Sequence, residues 1–124
     1  MPKIVLTGVL LALAFAAASC GGLGKDTAAP KTDPSTYYAV LLSNGSVYFG
    51  MLEGLGSAYP VLKDVYYVQS NVNQETKAVS NSLVKRGKEW HGPDRMILNE
   101  KAIIFIEPVG KESRVAQLIK ESKQ

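Results

Sequence analysis

Residues 83–96 read LVKRGKEWHGPDRM, with four cations, Lys85, Arg86, Lys88 and Arg95, gathered around Trp90 and His91. Cations beside an aromatic ring suit the gripping of a phosphate, an anionic lipid headgroup or the acidic face of a partner protein. Tryptophan favours places where one side is apolar and the other wet. Glu89 and Asp94 dilute the charge, and a solvated strand or loop whose tryptophan tucks into the edge of the core would use the same residues. His91 is the one histidine. A small hydrolase could be assembled from Ser82 as nucleophile, His91 as base and Asp94 as orienter. A metal-dependent enzyme would need further His, Cys, Asp or Glu ligands at suitable spacing. Spacing supports neither arrangement, so no catalytic residue, metal ligand or cofactor is expected, and an enzyme using His91 stands as the alternative reading. The GLG at 54–56 lacks the Lys-Ser/Thr that completes a phosphate-cradling loop.

The remaining chemical feature is a lone cysteine, Cys20, in FAAASCGG. Before it stand Met1, Pro2 and Lys3, then an uncharged run at residues 4–18. That layout is a secretion signal, long enough to engage an export channel and shorter than the roughly 20 residues a spanning helix needs. Ala17, Ala18 and Ser19 supply the small side chains a signal peptidase requires. The stretch resembles the lipobox of bacterial lipoproteins. The resemblance implies cleavage after residue 19, a diacylglyceryl group on the Cys20 sulfur and further acylation of the new amino terminus. Two or more acyl chains at about 0.8 kcal/mol per buried methylene hold a protein on a bilayer, whereas one is marginal. Gly21 rather than Asp follows the cysteine, which by resemblance to enterobacterial lipoprotein sorting implies the periplasmic face of the outer membrane. Lipidation also disposes of a thiol that has no partner within its own chain.

Removing residues 1–19 leaves enough chain for one domain with a sizeable core and too little for two. It also leaves 13 basic against 11 acidic residues, a balance that creates no strong field and disfavours nucleic acid as a partner. Residues 20–36, after the lipidated cysteine GGLGKDTAAPKTDPST, read as a flexible tether. The folded domain is expected over 37–124.

There the pattern becomes that of strands. YYAVLLS (37–43) and SVYFGML (46–52) are rich in β-branched and aromatic residues, and Asn44-Gly45 between them favours a two-residue hairpin. In the second strand Val47, Phe49 and Met51 share one face and Tyr48, Gly50 and Leu52 the other, so both faces are largely apolar. A strand covered on both sides fits a small closed barrel or a sheet with a helix across it. Gly50 is expected to mark a sharp bend. VLKDVYYVQ (61–69) is a third strand, residues 70–81 a polar loop, residues 82–90 a possible short strand, and HGPD (91–94) a turn. RMILNE and AIIFIEPV give two strands around residues 99–101, and Pro108 closes the second. Ser113 caps an amphipathic helix with Val115, Leu118 and Ile119 on one face. Tyr37, Tyr38, Tyr48, Tyr59, Tyr66 and Tyr67 are expected half-buried, ring inward and hydroxyl at the rim.

The hairpin, the glycine in its second strand, the Leu-x-Asp of the third strand and the two short final strands together resemble the two-part pattern of Sm-like small β-barrels. The resemblance implies a mainly β fold built as a five-stranded barrel; the amphipathic helix expected at the carboxy end is a departure from that family, whose helix is amino-terminal. It implies no RNA binding, because the loop between the second and third strands reads EGLGSAYP and the later segment MILNEK, without the residues that contact RNA in that family. Fold alone does not convey function. The expected role is a non-catalytic binding or scaffolding module of the bacterial cell envelope, held to the membrane by its lipid. It would present Lys85, Arg86, Lys88, Trp90, His91 and Arg95 to an envelope protein or to membrane.

Overall fold

The computed structural model describes residues 28–124. The expected signal peptide, Cys20 and the first part of the tether lie outside the described residues. Six antiparallel strands form one sheet: β1 (Tyr37–Leu42), β2 (Val47–Glu53), β3 (Val61–Val72), β4 (Val79–Lys85), β5 (Arg95–Ile97) and β6 (Ile103–Pro108). Among the described residues a single α-helix, α1 (Arg114–Ser122), follows. The strand order is β4-β3-β2-β1-β6, with β5 added to β3 beside β4. A closed five-stranded barrel is therefore not what the chain builds. Closure requires the first and last strands of the path to pair, and here β4 and β6 do not, which leaves an open sheet among the described residues.

The β1–β2 hairpin forms where expected, with Leu41 opposite Val47. Its tip differs. Residues 43–45 make a three-residue connection in which the Gly45 N–H donates to the Leu42 carbonyl at 2.9 Å, and the glycine has a φ of 85°. Asn44 serves through its side chain instead, whose Oδ1 accepts from the Ser46 N–H at 2.9 Å. That is the type I turn with a left-handed third residue, in which only the glycine needs positive φ.

Half of the expected loop at 70–81 is strand. β3 continues to Val72 and β4 begins at Val79, paired in unbroken register from Tyr66 opposite Lys85 to Val72 opposite Val79. The turn is confined to residues 73–78, where Asn73 Oδ1 accepts from the N–H groups of Glu75 and Thr76. Polar composition concealed these segments because residues 68–82 are all exposed and have no continuous apolar face to signal burial.

Both faces of the sheet are used, which is why β1 and β2 are largely apolar on both sides. One face carries Val40, Leu52, Leu62 and Val65, closed over by Leu98, with Tyr38, Leu42, Tyr48, Leu55 and Ile106 at the margin. On the other, Tyr66 is buried and α1 brings Ile119, also buried, with the Tyr66 hydroxyl 3.3 Å from Ser122 Oγ. The helix starts as expected: Ser113 Oγ accepts from the Ala116 N–H at 3.1 Å. Gly50 owes its place to a close approach. A Cβ there would lie 2.7 Å from both Leu62 Cγ and the Lys63 carbonyl oxygen, so β2 and β3 can meet only over a glycine. Residues 28–36 lie partly against the sheet, where Thr32 Oγ1 donates to the Leu52 carbonyl at 3.0 Å and the Asp33 N–H to the Tyr38 hydroxyl at 2.9 Å.

Candidate functional site

The functional geometry begins at a bulge in β3. Phe49 pairs with Tyr66 and Met51 with Lys63, so β3 holds one residue more than β2 across this stretch. The extra residue is accommodated at Asp64, whose φ of 49° is in the left-handed region, one that aspartate tolerates better than most side chains. The bulge puts Lys63 and Tyr66 on the same face and stops β4 from continuing alongside β3. Beyond it, Val61, Leu62 and Lys63 pair with Ile97, Met96 and Arg95 of β5. A gap opens between the end of β4 and the start of β5.

That gap is a cleft of about 470 Å³ lined by Asp64 and Val65 of the bulge, Lys85 and Arg86 at the end of β4, and Asp94, Arg95 and Met96 at the start of β5. Gly87 and Gly92, with φ of 129° and 53°, turn the chain at its rim. Three of the six residues singled out from sequence, Lys85, Arg86 and Arg95, thus line one concavity. Lys88, Trp90 and His91 do not line it. They are exposed on the intervening loop, and Trp90 is fully exposed rather than tucked against the core. Ser82 lines a different groove, against α1, so Ser82, His91 and Asp94 are not gathered into one site. Among the described residues no three His, Cys, Asp or Glu side chains come together as a metal-holding group.

Each cation of the cleft has an anionic neighbour, and the pairs differ in kind. Arg95 Nε lies 3.1 Å from Asp94 Oδ1, a largely exposed pair of adjacent residues and a weak one. Arg86 is more enclosed. Its guanidinium carbon lies 5.5 Å from the centre of the Tyr48 ring, and its Nε is buried without a hydrogen-bond partner among the described residues, Glu89 Oε1 being 3.5 Å away. Glu89 is itself drawn back by the loop: its carboxylate is held below the usual range, first by the Gly87 N–H it accepts at 2.8 Å, then by its own backbone N–H, with Arg86 a lesser contributor.

Asp64 is the hub. Lys123 Nζ lies 2.8 Å from its Oδ2 and Lys85 Nζ 3.1 Å from its Oδ1, while the Tyr37 hydroxyl donates to Oδ2. Lys123 also donates to the Tyr37 hydroxyl oxygen at 2.6 Å. Burial raises the Asp64 pKa, but the donors Lys123, Tyr37 and Lys85 outweigh it and hold the carboxyl at about 2. Burial, then the carboxylate, push the Tyr37 hydroxyl up, and hydrogen bonds to Asp64 and Tyr37 raise Lys123. An aspartate this acidic is a poor general base at neutral pH. The cluster instead clasps the end of α1 to β1 and β3. One carboxylate faces two ammonium groups, so a positive charge is left over, and it sits on Lys85 at the mouth of the cleft.

Sequence reading missed Tyr37, Asp64 and Lys123. The available signal was the aspartate interrupting the apolar run VLKDVYYV. What it pairs with lies 27 and 59 residues away along the chain, beyond the reach of local spacing. The chain matches no protein-family model and no curated protein.

Proposed function

We propose that the chain is a bacterial envelope lipoprotein, anchored through acyl groups on Cys20, whose folded part is a non-catalytic binding module that receives an anionic group of an envelope partner in the β3–β4–β5 cleft. The observation that supports the reading is the surplus cation. Lys123 and Tyr37 already satisfy Asp64, so Lys85 can turn to an incoming carboxylate or phosphate without leaving a carboxylate bare. Arg95 can follow at small cost, because its exposed pairing with Asp94 is weak. Arg86 remains fixed under Tyr48 and forms the floor.

The module is tested by capture of cross-linked partners from detergent-solubilised envelopes, with the full protein as bait. The double variant Lys85→Ala/Arg95→Ala retains less than one-tenth of the partner, and Trp90→Ala retains it fully. Equal retention by the double variant and the unaltered protein overturns the cleft as the binding surface. The anchor has its own test. Intact-mass analysis finds a mature chain beginning at Cys20 with added fatty mass, and Cys20→Ala releases the protein from the membrane. A mature form that begins elsewhere, or lacks that mass, overturns it.

A further inference from the structure

Among the described residues, the β4 and β6 edges of the sheet are not alike. On β6 the register slips, Leu41 pairing with Phe105 and Leu42 with Ile103, so Ile104 bulges. Pro108, at the end of the strand, has no N–H to offer. A bulge and a proline are the devices by which natural sheets blunt an edge. β4 has neither. Its seven residues keep one register with β3 throughout, and residues 78–84, AVSNSLV, carry no charge, proline or glycine.

The hydrogen bonds show which backbone groups of β4 point away from β3. Arg86 N–H donates to the Val65 carbonyl at 2.8 Å, and Asn73 N–H to the Ala78 carbonyl at 2.9 Å. With the observed register, the even-numbered residues of β4 therefore face β3. Val79, Asn81, Leu83 and Lys85 turn their N–H and C=O groups away from the sheet. Residues 78–82 are exposed. Only an extended strand can satisfy a row of alternating donors and acceptors of this kind.

We infer that the strand it pairs with is β4 of a second copy, antiparallel about a two-fold axis at Ser82. In that register all four outward residues find partners, Val79 opposite Lys85 of the other copy and Asn81 opposite Leu83. Ser82 then faces its own counterpart. No like charges meet, because the lysine of each strand stands opposite a valine. The edge is thus complementary to itself, as an isologous interface requires. The inference does not depend on the cleft or on Cys20.

Sedimentation of the full chain in mild detergent tests it. The expected result is a dimer at micromolar concentration. Asn81→Pro removes an outward N–H while leaving the β3 ladder its bonds, so it raises the dimer dissociation constant at least 100-fold with the far-ultraviolet spectrum unchanged. Ser82→Cys forms an interchain disulfide on mild oxidation, since directly opposed residues of a non-hydrogen-bonded pair bring their Cα atoms within disulfide reach. Ser80→Cys, which faces Val84 of the other copy, does not. A monomer throughout the micromolar range overturns the inference, as does a dimer in which Ser82→Cys fails to cross-link. Should Asn81→Pro prevent folding, the cross-linking pattern alone decides.

Discussion

Asp64 is the residue on which the local design turns, since its backbone makes the bulge and its side chain gathers Tyr37, Lys85 and Lys123. Asp64→Asn separates these roles, because asparagine also tolerates the left-handed region. The variant keeps the bulge and loses the charge, and stability at pH 7 falls by about 1–3 kcal/mol in urea unfolding, the scale of hydrogen bonds to a charged group. The pH dependence has a definite sign. The folded pKa of about 2 lies below the ordinary 3.8. The carboxylate's contribution is therefore complete above about pH 4 to 5 and is lost as pH falls from there towards 2. Tyr37 and Lys123 are raised from 10.0 and 10.5, so their share is complete below those values and fades only in stronger alkali. A plateau across neutral pH follows, with an acid limb that Asp64→Asn flattens; an unchanged acid limb in the variant would assign it to other carboxylates. Trp90 offers the contrast. Fully exposed, it should tolerate Trp90→Ala within about 0.5 kcal/mol, and a larger loss of stability would show that it packs after all.

At the scale of elements, two positions decide how strands and helix meet. Gly50 lets β2 lie against β3 where the bulge draws them close, and the atoms a Cβ would strike include a backbone carbonyl that cannot swing aside. Gly50→Ala is accordingly expected to cost about 1–3 kcal/mol, the usual penalty of overpacking, seen as a lower melting temperature. A melting temperature within a degree of the parent would refute the close approach. Ser113→Ala removes the acceptor for the Ala116 N–H and should cost about 1 kcal/mol, which in a domain of this size is a drop of roughly 4–8 °C. The hairpin, the C-terminal helix and its cap were legible beforehand because each is a local pattern: a turn residue between two apolar runs, a capping serine before a 3.6-residue stripe. The outer part of the β3–β4 ribbon, residues 70–72 and 79–81, was not legible. Its residues carry neither alternation nor burial, and the strand exists because β3 is already held by β2 and offers its other side as a template.

For the molecule as a whole, the open sheet means that one side of β4 has work left to do. Amide exchange on the described residues should show it. The amides of Ser80, Ser82 and Val84 bond to β3 and are protected at any protein concentration. Those of Val79, Asn81 and Leu83 gain protection only as concentration rises, and concentration-independent exchange at these three would place the partner strand elsewhere. The sequence by itself determined a mainly β chain with a capped carboxy-terminal helix and apolar residues on both faces of its central strands. Each of these follows from residue types a few positions apart. Whether those strands close into a barrel or stay open was not so encoded, because β-branched and aromatic runs suit either, and the outcome depends on whether β4 can reach β6. Tertiary structure decided that, and with it the site. The bulge at Asp64 divides the edge of β3 between β4 and β5, and the gap so left draws Lys85, Arg86 and Arg95 to one cleft while Lys88, Trp90 and His91, their neighbours in sequence, face solvent. Proximity along a chain sets which residues share a turn, but only pairing between distant strands sets which share a cavity.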